Sequence, residues 1–386
     1  MSGDSETQSS KPIKKSRNQN HSSYDLVLLF SVLALVGIGL VMVYSASAAL
    51  AQKKYGSDFY FLEKQALAAG LGFLALVFFK HFPLRWVRLM AYPMLLTTVA
   101  CLIATRFTSL GFSAGGAQRW IRAFGFSFQP SEMARFVMML YMAYSMSKKR
   151  EMIKDFSVGF LPHVLILMIL SALILIQPDF GSVLILGALT WIMMFIGGVR
   201  LTHLLSPLIV LIPAMTWLII QEPYRVRRLI SFLNPWQYAS DEGYQIVHSL
   251  MAFGAGGIFG SGLGKGVQKL FYLPEPHTDF IFSVIGEELG CVGVIGILVL
   301  FFLILWRGVR IARKAPDAFS AFAAAGITAA IGLQAAINIG VTMGLLPTKG
   351  LTLPFLSYGG SSLLINMAAI GLLLNIQSIR VKSWQK

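Results

Sequence analysis

Ten runs of apolar residues, separated by short polar stretches, dominate this chain of 386 residues. Only 13% of the residues are charged, whereas soluble domains usually carry about 25%. A helix needs about 20 apolar residues to cross a bilayer, and most of the runs approach that length. The sequence therefore predicts an all-α polytopic integral membrane protein. The predicted spans are residues 25–47, 65–79, 86–105, 131–147, 157–176, 180–199, 201–220, 280–306, 318–345 and 361–379.

Basic residues fix the orientation of these spans, because cytoplasmic loops of membrane proteins are enriched in Lys and Arg. Ten spans place both termini on one side, and cytoplasmic termini put 19 of the 32 Lys and Arg on the cytoplasmic side. We therefore predict a disordered cytoplasmic tail at 1–23, a membrane domain at 24–380 and a cytoplasmic tail at 381–386. The first span is too long for a signal peptide and is interpreted as uncleaved. The large extracytoplasmic loop is predicted at about 221–279, between spans 7 and 8.

The extracytoplasmic side carries clusters of basic residues, although the topology rule disfavours cations there. Such clusters indicate an anionic ligand, and a lipid-linked phosphate or pyrophosphate in the outer leaflet fits. A short basic helix near 225–234 could instead rest on lipid headgroups. The overall charge of +15 follows topology and does not indicate nucleic acid. The candidate ligand-binding cations are Arg119, Arg225, Arg227, Arg228, Lys265, Lys269 and Lys349.

Residues 272–290 place an aspartate, a histidine and a glutamate at the mouth of the eighth apolar run. Ionisable groups at a bilayer boundary are costly unless they are used, and Asp279 is the candidate general base. Glu287 and Glu288 lie two turns deeper, where they need partners, so a structural polar network is their predicted role. His277 has no other histidine at a metal-ligating spacing, and no metal site is predicted.

Two further acidic residues stand where predicted spans begin. Glu132 opens the fourth span and can pair with Arg135 on the same helix face. Asp179 lies in the turn between spans 5 and 6, where it can cap the sixth span. For both residues, helix capping and a supporting role in a site are open alternatives.

A glycine-rich stretch at 254–266 resembles a phosphate-binding loop but lacks the Walker spacing and a preceding strand. We interpret it as a re-entrant segment that lets a ligand approach the backbone. A second shaped loop, with two prolines and several glycines, joins the last two spans at 344–362.

Taken together, these segments resemble the SEDS family, the shape, elongation, division and sporulation proteins. The matching pieces occur in family order from about residue 25 to residue 380. The Leu346-Pro-Thr-Lys-Gly loop favours the cell-division branch of the family over the rod-elongation branch. The pieces are Ala117-Gln-Arg-Trp-Ile, Gln129-Pro-Ser-Glu, Gln177-Pro-Asp-Phe-Gly-Ser, Arg227-Arg-Leu, Leu233-Asn-Pro, Gly243-Tyr-Gln, Leu273-Pro-Glu-Pro-His-Thr-Asp-Phe, Gly286-Glu-Glu-Leu-Gly and Leu353-Pro-Phe-Leu-Ser-Tyr-Gly-Gly.

The resemblance implies a ten-span peptidoglycan glycosyltransferase that polymerises lipid II for septal cell-wall synthesis in the inner membrane of a bacterium. It implies that Asp279 is catalytic and that Ser357 and Gln245, which lie in matching pieces, join the cations in binding substrate. The implied partners are lipid II, the growing lipid-linked glycan strand, a class B penicillin-binding protein transpeptidase and other division proteins. A divalent cation, Mg²⁺ or Mn²⁺, is an open expectation.

Three rival functions remain at this stage. A flippase for lipid-linked precursors would place polar sites near the bilayer midplane, and Glu287 and Glu288 keep that alternative open. A rod-elongation glycosyltransferase shares most of the matching pieces. A division scaffold without activity would have no need of Asp279 beside cationic loops.

The charge asymmetry generates a direct test of topology. A reporter fused after Lys386 should be cytoplasmic, and a reporter inserted near Ser240 should be extracytoplasmic, because the predicted spans alternate between those points. Accessibility labelling in whole cells checks both positions. The opposite labelling would overturn the placement of every motif loop on the outer face.

Overall fold

The computed structural model describes residues 25–383, apart from 115–116, 124–125, 242 and 271. The predicted tail at 1–23 lies outside the described residues, and the last helix continues three residues into the predicted tail at 381–386. The helices are α1 Leu26–Tyr55, α2 Tyr60–His81, α3 Leu84–Leu89, α4 Ala91–Phe107, α5 Pro130–Lys148, α6 Leu161–Leu175, α7 Phe180–Gly197, α8 Leu201–Leu205, α9 Leu208–Ile220, α10 Pro223–Leu233, α11 Tyr244–Gly256, α12 Ile281–Arg313, α13 Ala318–Thr342 and α14 Gly360–Ser383.

The prediction of a mostly helical, polytopic membrane fold is confirmed, because helices cover every predicted span. Within the described residues, seven helices are long and apolar enough to cross a membrane. Two other predicted spans contain shorter apolar helices, at Ala91–Phe107 and Leu201–Trp217. The remaining predicted span, residues 131–147, corresponds to α5, which is not among the seven helices and carries charged residues at both of its ends. The number of ten spans therefore stays a prediction.

A three-stranded antiparallel sheet joins α4 to α5, and the sequence analysis did not predict it. Its strands are β1 Gly111–Ala114, β2 Ala117–Ala123 and β3 Phe126–Phe128, with β2 in the centre. In the register, Phe112 faces Trp120 and Arg122 faces Ser127. The strands are too short for a period-two pattern to stand out. The sheet matters because it carries Arg119.

Helix packing brings distant parts of the chain together at one end of the bundle. The helix α14 packs along α2, while α12 contacts α1, α11 and α13. Small residues allow close approach of α13 to its neighbours, since a Cβ on Gly326 would lie 2.3 Å from Met139 Cγ. At the other end, Arg307 Nη2 and Asp25 Oδ2 form an ion pair of 2.6 Å that joins α12 to α1.

The glycine-rich segment after α11 fills a break in α12. Gly290 has φ 65° and ψ −163°, so the helix is interrupted there. The backbone N–H of Ser261 donates to the carbonyl of Glu287 at 2.9 Å, and the N–H of Cys291 donates to the carbonyl of Gly257 at 3.0 Å. Backbone groups freed by the break are thus satisfied within the protein, as an apolar environment requires.

A substitution at the break should destabilise the fold. Gly290→Ala forces a side chain into a conformation that glycine alone adopts readily, and its Cβ would lie 2.3 Å from the nitrogen of Gly260. We expect a loss of about 1–3 kcal/mol for the backbone strain, with more for the clash. Thermal unfolding in detergent measures it.

Gly296→Ala is the matched control, because Gly296 lies in α12 and no atom lies within 4 Å of its added Cβ. That variant should be as stable as the wild type or slightly more stable, since alanine favours helix. Equal melting temperatures for the two variants would contradict the close approach at Gly290.

Candidate active site

Four segments that are distant in sequence converge beside Asp279. Asp279 lies just before α12, and Gly350 lies in the loop between α13 and α14. A Cβ on Gly350 would lie 3.2 Å from Asp279 Oδ2, so the two loops touch at the carboxylate. A Cβ on Gly181 would lie 3.8 Å from Asp179 Oδ1 and 4.0 Å from Lys349 Cδ, which adds the start of α7. The strand β2 completes the site with Arg119.

Asp279 is half-buried and its carboxylate is held by no hydrogen bond to the described residues. Its backbone carbonyl accepts a hydrogen bond of 2.9 Å from Asn338 Nδ2. Burial raises the pKa of Asp279 to about 7, the charge of Glu275 adds to the rise, and the charge of Arg119 opposes it. A carboxylate with a pKa near 7 exchanges a proton readily at neutral pH, as a general base must.

Arg119 and Asp179 form a fixed pair at the turn that precedes α7. The guanidinium of Arg119 donates to the carbonyl of Gln177 at 3.2 Å and to that of Pro178 at 2.5 Å. Its Nη1 lies 4.0 Å from Asp179 Oδ1. Asp179 Oδ1 accepts from the N–H of Ser182 at 3.2 Å, which confirms that it caps α7. Arg119 is therefore anchored by its neighbours while its charge reaches Asp279.

Lys349 brings a second cation to the loop that approaches Asp279, one residue before Gly350. Its Nζ lies 5.9 Å from the centre of the Phe180 ring. Burial lowers the pKa of Lys349 to about 8, so the amine remains largely protonated at neutral pH. A half-desolvated ammonium attracts an anion more strongly than an ammonium in bulk water.

His277 is a packing residue of the Asp279 loop. Its ring lies 4.5 Å from the ring centre of Phe61 on α2 and 5.5 Å from that of Tyr358. Burial lowers the pKa of His277 to about 4, so the imidazole is neutral at physiological pH. Its carbonyl accepts from the N–H of Tyr358 at 2.9 Å, and it thereby ties the loop to the one before α14.

The Glu287 carboxylate binds backbone N–H groups at the end of the glycine-rich loop. Oε1 accepts hydrogen bonds from the N–H groups of Val267 at 2.7 Å and Gln268 at 3.2 Å. A Cβ on Gly266 would lie 2.8 Å from Oε2, so the loop needs a glycine to approach the carboxylate. The network predicted for this residue is thus observed as a set of loop contacts.

Glu288 pairs with Lys269 in the interior of the protein. Lys269 Nζ lies 2.5 Å from Glu288 Oε1, and the two side chains are 6% and 0% exposed. Ser45 of α1 donates to the same carboxylate at 2.8 Å, and the N–H of Gly264 donates at 3.1 Å. Lys269 is therefore committed to Glu288, whereas Lys265 is exposed on the same loop.

No hydrogen bond or ion pair given by the described residues joins the remaining candidates to Asp279. Ser357 Oγ accepts from the N–H of Leu353 at 2.7 Å, which closes a local turn. Gln245 is half-buried on α11, and Arg227 is exposed on α10. The side chains of Arg225 and Arg228 lie outside the described part of the structure.

Glu132 lies with Arg135 on the wall of a partly open pocket. The two side chains form a buried ion pair on α5, as the sequence analysis predicted. Residues from α7, α13 and α14 complete the lining, including Gln334 and Asn366. Within the described part of the chain, no hydrogen bond or ion pair joins this pair to Asp279.

Sequence reasoning missed Asn338 and Gly350, which contact the Asp279 loop. An asparagine inside the apolar run 318–345 was a usable signal, because polar groups within spans need partners. No comparable signal marked Gly350, whose contact depends on a loop far away in sequence. Among the described residues there is no group of three His, Cys, Asp or Glu side chains that could hold a metal.

Known proteins are similar to this sequence over nearly its whole length. A family model described as "Cell cycle protein" and named for FtsW, RodA and SpoVE matches residues 26–382. A "Probable peptidoglycan glycosyltransferase FtsW" of Geobacter metallireducens is 48% identical over 93% of this chain and 96% of its own length. The "Stage V sporulation protein E" of Bacillus subtilis is 41% identical over 92% and 97%.

Solved structures share the fold. A chain from a structure described as "Structural coordination of polymerization and crosslinking by a peptidoglycan synthase complex" has a TM-score of 0.77 at 29% identity, covering 92% of this chain and 98% of that chain. Rod shape determining protein RodA of Thermus thermophilus has a TM-score of 0.69 at 29% identity, over 94% and 99%.

The fold and these matches define a bacterial multi-pass membrane protein. The chain belongs to the FtsW, RodA and SpoVE family, which is the SEDS family that the sequence motifs indicate. Within it the chain is FtsW-like, because relatives at 48% identity are named FtsW.

Two lysines of the glycine-rich loop should respond differently to the loss of charge. Lys269→Met leaves the buried Glu288 carboxylate without its cation and should cost about 3–5 kcal/mol. Lys265→Met is the matched control, and an exposed change of this kind should stay within about 0.5 kcal/mol. Chemical unfolding in detergent compares them. Equal stability of the two variants would contradict the buried pairing of Lys269 with Glu288.

Proposed function

We propose that this chain is a peptidoglycan glycosyltransferase that polymerises lipid II into glycan strands for septal cell-wall synthesis. The observation that carries the assignment of the site is the Asp279 carboxylate, which has a pKa of about 7 and makes no hydrogen bond to the described residues. The charge of Arg119 acts on it, and the loop that carries Lys349 touches it at Gly350. Relatives at 48% identity carry the name of this activity.

Asp279 acts as the general base in this proposal. The 4-hydroxyl of the acceptor sugar is a weak nucleophile. A carboxylate within hydrogen-bond reach removes the proton of this hydroxyl while the hydroxyl oxygen attacks the anomeric carbon of the sugar linked to the lipid pyrophosphate. The new glycosidic C–O bond forms while the bond to the pyrophosphate breaks. Proton removal of this kind contributes about 10²–10⁴-fold to a rate. A single displacement inverts the anomeric centre. Because the pyrophosphate leaves as an anion, the reaction needs no second carboxyl group to protonate the leaving group, unlike hydrolysis of a glycoside.

Arg119 and Lys349 stabilise the departing undecaprenyl pyrophosphate. Negative charge develops on the leaving group, and cations held in place beforehand stabilise it without reorganisation. Arg119 is anchored by the carbonyls of Gln177 and Pro178. The cations of α10 extend the same field in this proposal, with Arg227 on its exposed surface.

The expected Mg²⁺ or Mn²⁺ stays a prediction. The described residues gather no cluster of three ligands, and Asp179 already accepts hydrogen bonds from Ser182 through both carboxylate oxygens. These residues do not build a resident metal site, so no step of the reaction is assigned to a metal here.

The rival functions fit the site less well. A flippase would require polar groups free to meet substrate within the membrane, but Glu287 and Glu288 bind the glycine-rich loop. A scaffold without catalytic activity does not require a carboxylate whose pKa is raised to about 7, as that of Asp279 is. The rod-elongation activity is the second candidate, because RodA shares the fold.

We propose a class B penicillin-binding protein transpeptidase as the partner, at the division septum with other division proteins. A structural relative described as part of a peptidoglycan synthase complex, in which polymerisation and crosslinking are coordinated, supports a partner of this kind. Septal localisation agrees with the FtsW-like sequence.

The proposed base is tested by Asp279→Asn, which keeps size and shape but removes proton acceptance. Polymerisation of purified lipid II, with the transpeptidase present, should fall by at least about 100-fold. Wild-type activity should rise with pH and reach half its maximum near pH 7, because the base must be deprotonated and its pKa is about 7.

Glu275→Gln is the informative control, because Glu275 is exposed and its charge raises the pKa of Asp279. Removing that charge lowers the pKa, so the activity of this variant should extend to lower pH. Full polymerisation by Asp279→Asn would remove Asp279 from the mechanism. The acid limb is the low-pH part of the pH–activity profile, where activity rises with pH. If Glu275→Gln leaves the acid limb unchanged, a group other than Asp279 controls it.

A further inference from the structure

Asn338 of α13 joins the two loops that meet at Asp279. Its Nδ2 donates one hydrogen bond to the carbonyl of Asp279 at 2.9 Å and another to the carbonyl of Leu351 at 2.5 Å. Leu351 follows Lys349 and Gly350 directly. The asparagine is 1% exposed, so water does not compete for these bonds.

The orientation of the Asn338 amide is fixed by its chemistry. Both partners are carbonyl oxygens, so the nitrogen, with two N–H donors, must face them. In the opposite orientation the Asn338 amide oxygen would face the two carbonyl oxygens, and no donor would lie between them. The amide oxygen is buried and makes no hydrogen bond in the described residues, and this unsatisfied group is tolerated where the nitrogen bridges the two loops.

We propose that Asn338 is a positioning residue for the glycosyl transfer, holding the Asp279 loop and the Lys349 loop in register. This inference rests on the proposed function of Asp279. The proposed base and one of the proposed leaving-group cations are carried by different loops, and Asn338 contacts both. The register is tight, because a Cβ on Gly350 would lie 3.2 Å from Asp279 Oδ2.

Loss of the bridge should change the reaction more than the binding of substrate. Small displacements of reacting groups reduce rates by up to about 100-fold. Separation of the loops would also admit water to Asp279, which lowers the pKa that burial raises. The charged groups that act on Asp279, Glu275 of its own loop and Arg119 of β2, are unchanged by substitution at Asn338.

The chain offers a matched control in Asn375 of α14. This asparagine is also buried, and its Nδ2 bridges two backbone carbonyls, those of Phe79 and Phe82, at 2.9 and 2.5 Å. It lies at the opposite end of α2 from Phe61, which packs on His277. Asn375→Leu therefore removes the same kind of bridge without touching the Asp279 site.

The experiment compares Asn338→Leu and Asn375→Leu in the full chain with its transpeptidase. Lipid II polymerisation is measured against pH and substrate concentration, and rates are normalised to folded protein. We expect kcat of Asn338→Leu to fall about 10- to 100-fold with a smaller change in KM. Its acid limb should move to lower pH, while the Asn375→Leu acid limb stays at the wild-type position.

A second variant decides the outcome where Asn338→Leu does not fold. Gly350→Ala adds one methyl group on an exposed loop and pushes that loop from Asp279. It should lower kcat and shift the acid limb in the same direction as Asn338→Leu. Wild-type kcat and acid limb in both variants, or equal effects of the two asparagine substitutions, would overturn the positioning role.

Failure of this inference is distinguishable from failure of the proposed function. Asp279→Asn is assayed in parallel, and an active Asp279→Asn protein would refute the general base itself. An inactive Asp279→Asn protein beside unaffected Asn338→Leu and Gly350→Ala proteins would refute only the positioning role.

Discussion

Polar groups within an apolar bundle must find their partners inside the protein, and that requirement organises one whole end of this molecule. The break in α12 at Gly290 leaves backbone N–H and C=O groups without partners in the helix, and the glycine-rich loop after α11 forms hydrogen bonds with them. The carboxylates of Glu287 and Glu288 then hold the same loop by its N–H groups and by Lys269. Residues 267–280 connect that loop to α12 and include Asp279, so the placement of the loop constrains the position of the candidate base.

Asp279 stands out against the buried acidic residues of the described structure, because their carboxylates have partners. Asp179 caps α7, Glu132 pairs with Arg135, and Glu288 pairs with Lys269. Asp279 is instead held through its backbone carbonyl by Asn338, while its carboxylate makes no hydrogen bond to the described residues. Burying a carboxylate without a hydrogen-bond partner costs stability, and that cost is consistent with a group reserved for substrate.

Much of the fold could be predicted because hydropathy is a local property of the sequence. Every predicted span is helical, and the Asp279 segment was singled out from its ionisable residues at a span boundary. The sheet at 111–128 was missed because its strands are short and lie in a loop. Lys265 and Lys269 look alike in sequence, yet one is exposed and the other is buried against a glutamate.

The sequence by itself determined the membrane class, the helical segments, the family and the identity of the candidate base. Each of these depends on composition, period or motif within a short stretch of chain. The tertiary structure alone decided which cations accompany Asp279 and which residues hold it. Asn338, Gly350 and Arg119 meet it from three separate elements, and contacts between distant segments depend on packing that no local pattern records.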